Sequence, residues 1–215
     1  MIAALGLWCA PDEARADQEL WLWSEMRLPV ATEEEFPVRT TLRIWNDLRF
    51  NQRRDGLHQA FLRVGPLFDL TPWLLLGVHF TVYADKLATG EFEEERRGEF
   101  EPNFHGRWGA FTFNDRNRIE YRWRESGTGF RYRNQLRVNY APEDAILVPF
   151  LWDEVLVPLS RDGWHQNRLM AGIGWVTSPS TRLELGYMLR SREEPQGWEH
   201  DHIAVAYLFF NGWAR

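Results

Sequence analysis

Arginines and carboxylates recur at every second position over long stretches of this chain. Arg43 and Asp47 share one such face, and Arg118, Glu120 and Arg122 share another. Arg131, Arg133 and Arg137 lie on a third, Glu154 and Arg168 on two more, and Arg182 with Glu184 on the last. Arg39, Arg63, Arg116 and Glu25 fall on the same faces. Guanidinium forks and carboxylates make paired hydrogen bonds, so the plainest chemistry is a set of ion pairs filling a narrow space. Rings of arginine also favour anions, which makes an anion-selecting constriction, or an anionic lipid or sugar ligand, the functional alternative.

Other chemistries find less support. His200 and His202 share a face with Asp201 between them, but two ligands on one strand do not make a metal site. His79, His105 and His165 fall on separate strands. Ser126, Ser160, Ser178, Ser180 and Ser191 lie in or near turns, Ser24 lies on an apolar face, and no Gly-x-Ser-x-Gly elbow occurs. Glu120 and Glu154 could form an acid pair, although nothing in the sequence fixes their separation. Gly172-Ile173-Gly174 lies inside an alternating stretch, where glycine relieves crowding and does not cradle a dinucleotide. No cofactor or metal is therefore expected. The net charge of -6 argues against nucleic acid as a partner.

The elements that carry these residues show a period of two. From Val38 to Phe50, Leu42, Ile44 and Leu48 face one way, and Arg39, Arg43, Asp47 and Arg49 face the other. Leu74, Leu76, Val78, Phe80 and Val82 form a second apolar row. Segments near 18–28, 38–50, 57–69, 73–85, 98–111, 115–125, 129–140, 146–158, 165–177, 181–192 and 201–210 read as strands. Each runs to about 10–13 residues, long for a soluble sheet and sufficient to cross a bilayer at a tilt. Bacterial barrels normally have an even number of strands, so twelve are expected, with ten as the alternative. Residues 86–97 and 193–200 break the alternation and read as extracellular loops. Ile203, Val205, Tyr207 and Phe209 alternate with aromatics last, which partly fits a barrel-assembly signal, although Asn211 to Arg215 run on past it.

Mean hydropathy is -0.47, and no apolar run is long enough for a membrane helix. A membrane barrel escapes that test, because half of each strand faces a polar lumen. The 12 Trp suit membrane interfaces. Ile2 to Ala10 followed by Ala14-Arg15-Ala16 resembles a secretory signal, with a start upstream of Met1 expected. Residues 1–16 are taken as its remnant and 17–215 as one barrel domain. Cys9 would leave with the signal, so no disulfide or cysteine-bound zinc is expected.

Five strings occur in order: Arg116-Asn117-Arg118-Ile119-Glu120-Tyr121-Arg122, Phe130-Arg131-Tyr132-Arg133, Trp152-Asp153-Glu154-Val155, Gln166-Asn167-Arg168 with Gly172 and Gly174, and Leu185-Gly186-Tyr187-Met188. This order resembles the bacterial family catalogued as domain of unknown function 2490. The resemblance implies an outer-membrane barrel and no particular reaction. The expectation is an all-β, antiparallel up-and-down barrel in the Gram-negative outer membrane, its lumen lined by Arg and Glu. Its partners would be outer-membrane lipid and the barrel-assembly machinery, with the oligomeric state open. A structural or anion-leaning small-solute pore role comes first. A lipid-modifying barrel enzyme and a soluble ligand-binding barrel are the rivals.

Overall fold

Long runs of alternating β-branched, aromatic and charged residues can satisfy their backbone groups only by pairing side by side. In the computed structural model they do so around a full circle. The structure describes residues 18–32, 34–51, 56–87, 89–159 and 165–212. The signal-like segment, Cys9 and the turn at Arg161-Asp162-Gly163 lie outside them. Eleven strands follow one another: β1 (Gln18–Ala31), β2 (Arg39–Asn51), β3 (Gly56–Thr71), β4 (Leu74–Lys86), β5 (Phe92–Trp108), β6 (Phe111–Arg124), β7 (Gly127–Tyr140), β8 (Leu147–Pro158), β9 (Gln166–Ser178), β10 (Thr181–Glu194) and β11 (Gly197–Asn211). Each pairs antiparallel with the next, and β1 closes the barrel against β11. No helix occurs among the described residues.

Eleven strands replace the expected twelve or ten. An odd number leaves the first and last strands running the same way, and the closing ladder is indeed parallel, from Gln18–His202 to Arg27–Asn211. The even count holds only for barrels that close with an antiparallel pair. Residues 86–97 and 193–200 are also corrected: β5 begins at Phe92 and the β10–β11 hairpin runs through to Gly197. Both tips lie at the end of the barrel where β1 begins. Gly197, with φ of 127°, turns the second of them, a left-handed conformation that favours glycine.

Following the ladder once around returns to β1 about 14 residues away from the start, a stagger that goes with a strand tilt near ~45°. Strands of 12–17 residues at that tilt leave room for an apolar belt with polar rims. The outer face carries Leu62, Phe80, Phe100, Ile119, Leu151 and Leu185, all exposed. Leu76 joins this face, whereas Leu75 points inward and is buried.

The lumen is divided. Strands β2–β7 fill their side with ions. Strands β8–β11 and β1 contribute an apolar core of Trp21, Phe150, Trp152, Met170, Met188, Ile203 and Val205. Ile203, Val205 and Tyr207 therefore point inward, and Ala204, Leu208 and Phe210 form the outer face of the last strand.

Candidate functional site: an ion-paired lumen

The inward positions of eleven strands converge, and strand register decides which charges meet. Tyr207 donates to Glu25 at 2.5 Å, and Arg43 bridges Glu25 and Glu101 at 2.8 Å each. Arg118 takes the other side of Glu101 and approaches Glu120 at 3.5 Å. Arg131 and Arg133 hold Glu120 at 2.5 and 3.0 Å. Arg133 also reaches Glu154 at 2.7 Å, and Glu154 accepts from Arg116 at 2.8 Å and from Arg168 at 3.2 Å. The chain of contacts runs from β11 through β1, β2, β5, β6 and β7 to β8 and β9. Nearly every member is buried, so each charge needs its partners: an uncompensated ion there would cost several kcal/mol.

Other residues singled out from the sequence form smaller groups. Arg137 and Arg182 share Glu184 at 2.7 and 2.8 Å. Asp47 pairs with Arg49 at 2.7 Å. Arg122 binds Glu95 at 2.5 Å, together with Arg97 and Arg124. Glu95 and Arg97 are missed because 86–97 reads as a loop, and Glu99 and Glu101, at the start of the next strand segment, are missed with them because the row is cut in two there. Continuous alternation of Glu93, Glu95, Arg97, Glu99 and Glu101 is the signal that marks them as one inward row. Glu19, Arg190 and Asp201 form another omitted group, with Arg190 2.8 Å from each acid.

Where the ions meet the apolar side, guanidinium planes lie over aromatic rings. Arg49 sits 3.6 Å from the Trp21 ring centroid, Arg63 and Arg43 4.6 and 4.7 Å from Trp45, and Arg137 4.1 Å from Phe150. Such contacts let arginine shed water without losing all electrostatic support. Between the two regions lies a cavity of about 660 Å³. Its lining runs from Asp85, Glu93 and Arg124 near one rim to His105, Asn139 and Asn211 near the other. Among the described residues, sixteen arginines and eight carboxylates face it, so the surface a solute meets is positive.

The geometry bears on the other chemistries. Glu120 and Glu154 are both saturated by guanidinium groups, and Arg133 bridges them, so neither is free to exchange protons as an acid pair would. His79, Glu99 and Glu101 place ligand atoms within 4.8 Å of one another. Both carboxylates are already engaged, Glu101 by Arg43 and Arg118, and Glu99 by Arg63 and Thr81. A cation would have to displace them among three guanidiniums, and the set does not fit one. On the outer face, Ser191 Oγ lies 2.9 Å from His200 Nδ1. Among the described residues no carboxylate orients that histidine, and no second donor points at where an oxyanion would form.

The sequence family described as protein of unknown function (DUF2490) matches residues 19–201, most of the chain and ten of the eleven strands in full or nearly so. No curated protein matches.

Proposed function

The chain belongs to the DUF2490 family, and from that premise we propose that it is an outer-membrane barrel serving as a narrow, anion-leaning route for small solutes. The observation that carries the proposal is the cavity whose lining reaches from rim to rim with twice as many arginines as carboxylates. The excess of guanidiniums over carboxylates along that lining makes the space cationic on balance, which favours anions. Membrane placement is supported by the apolar outer belt and by strands longer than a soluble sheet needs. A second reading, a barrel that is structural and closed, is favoured by the Trp21–Met188 core on the β8–β11 side.

Two measurements test this. Refolded protein should migrate differently on a detergent gel before and after heating, as closed membrane barrels do. Equal mobility would count against membrane placement. In planar bilayers the inserted protein should give steady, anion-selective conductance steps. A silent membrane with a heat-modifiable protein would overturn the pore and leave the structural barrel.

A further inference from the structure

The outer face of β6–β11 departs from the apolar pattern along one rung. Asn117 pairs with Asn134, Asn134 with Val155, Val155 with Asn167, Asn167 with Ser191 and Ser191 with His200. Five of these six outward residues are polar. Two carboxylates flank the rung on the same face. Asp115 accepts from Asn134 at 2.6 Å, and exposed Asp153 accepts from Asn167 at 2.8 Å. Tyr132 adds its hydroxyl to Asn117 at 2.5 Å.

Because the strands tilt, this rung is a diagonal. His200 and Ser191 lie near the ends of their strands, at the rim. Asp115, Asn117, Asn134 and Asp153 lie midway along β6, β7 and β8, within the belt, bordered by exposed Leu136, Leu151, Ile119 and Phe130. Polar groups facing hydrocarbon are costly, and a carboxylate more so, so a row of them open to lipid marks something that meets them there. No Lys or Arg occurs among the described outward residues of β6–β9, so the row is rich in acceptors and negative. What fits is a cationic donor that enters from the rim.

Resting on the outer-membrane reading, we propose that this wall is a headgroup track for aminophospholipids. The ammonium end of the lipid leaves the interface at Ser191 and Asn167, pairs with Asp153 and then Asp115 inside the belt, and passes to the other leaflet while its acyl chains stay in the hydrocarbon. Anionic headgroups without an amine are repelled by the same carboxylates.

The test uses the refolded protein in vesicles of phosphatidylethanolamine and phosphatidylglycerol carrying a trace of either lipid labelled on a short acyl chain. Serum albumin, too large to enter the barrel, extracts label from the outer leaflet alone. Labelled phosphatidylethanolamine should become extractable beyond the outer-leaflet half, and labelled phosphatidylglycerol should lag. In a variant combining Asp115→Leu, Asn117→Leu, Asn134→Leu and Asp153→Leu, extraction should stop at half. That variant should stay heat-modifiable and resist urea at least as well as the parent, because its changes suit the lipid face. A role in holding the barrel together predicts the opposite, a loss of stability. Extraction that stops at half for an inserted, heat-modifiable parent overturns the track while leaving the membrane barrel standing. A variant that still moves lipid, or a parent that is a cross-linkable dimer lost in the variant and moves none, overturns it too. A protein that never inserts removes both readings.

Discussion

Glu154 holds three guanidiniums at once, and its side chain is almost fully buried. Neutralising it would leave Arg116, Arg133 and Arg168 facing one another with no shared counter-charge. Removing one partner from a buried ionic group typically costs about 3–5 kcal/mol, because the remaining charges stay desolvated. Glu154→Gln should therefore lower the folding free energy in vesicles by about that amount. The control is Glu94, whose pair with Arg96 at 2.5 Å is exposed on both sides. Glu94→Gln should change stability by no more than ~0.5 kcal/mol, since water screens such pairs. A urea titration in vesicles compares the two. Similar losses would show that the lumen is held by shape and apolar packing, with the ions as passengers.

At the scale of the strand, glycines make the apolar half of the lumen fit. Gly172 and Gly186 face each other across β9 and β10. A Cβ on Gly172 would stand 2.4 Å from the Leu185 carbonyl oxygen and 2.6 Å from the Phe150 ring, so backbone as well as side chain would have to move. Gly172→Ala should destabilise by about 1–3 kcal/mol through overpacking, and Gly174→Ala, which meets chiefly the flexible Arg182 side chain at 3.3 Å, much less. Thermal unfolding of the two variants, each scored by loss of heat-modifiable migration, distinguishes them, and equal shifts would sink the crowding argument. These glycines also show what sequence reveals. Their place inside an alternating run was legible, and so were eleven strand segments, since period two is a local property. Which apolar row faces inward was legible only where the opposite row is charged, as at Arg43 and Asp47. On β11 the two rows, Ala204–Leu208 and Ile203–Tyr207, are both apolar, and only closure of the barrel decides between them. The ion partners stayed hidden for a related reason. Arg43 and Glu101 are 58 residues apart and meet through register across several strands, which no single stretch encodes.

Closure is a property of the whole molecule, and it sets both strand number and the position of the chain ends. Ten antiparallel hairpins carry β11 back to β1 running in the same direction. The chain thus enters the barrel at one end and leaves it at the other, and the closing ladder is the one parallel pair among the described strands. Parallel ladders are slightly weaker per residue than antiparallel ones, and this seam is the one place where the wall relies on such a ladder among the described strands. Its register is also specific enough to test. Leu22 stands directly opposite Ala206, with both side chains on the outer face. Directly paired positions have Cα atoms within the ~4.4–6.8 Å that a disulfide spans. With Cys9→Ser as background, Leu22→Cys combined with Ala206→Cys should oxidise to a cross-linked barrel, seen as a reducible change in the mobility of the heated protein. Leu22→Cys with Phe210→Cys should not, because four residues along a strand add about 13 Å. An antiparallel closure through a further strand would separate β1 from β11 altogether and give no cross-link in either variant. Bond formation in the first and none in the second holds only for a barrel of eleven strands closed in parallel.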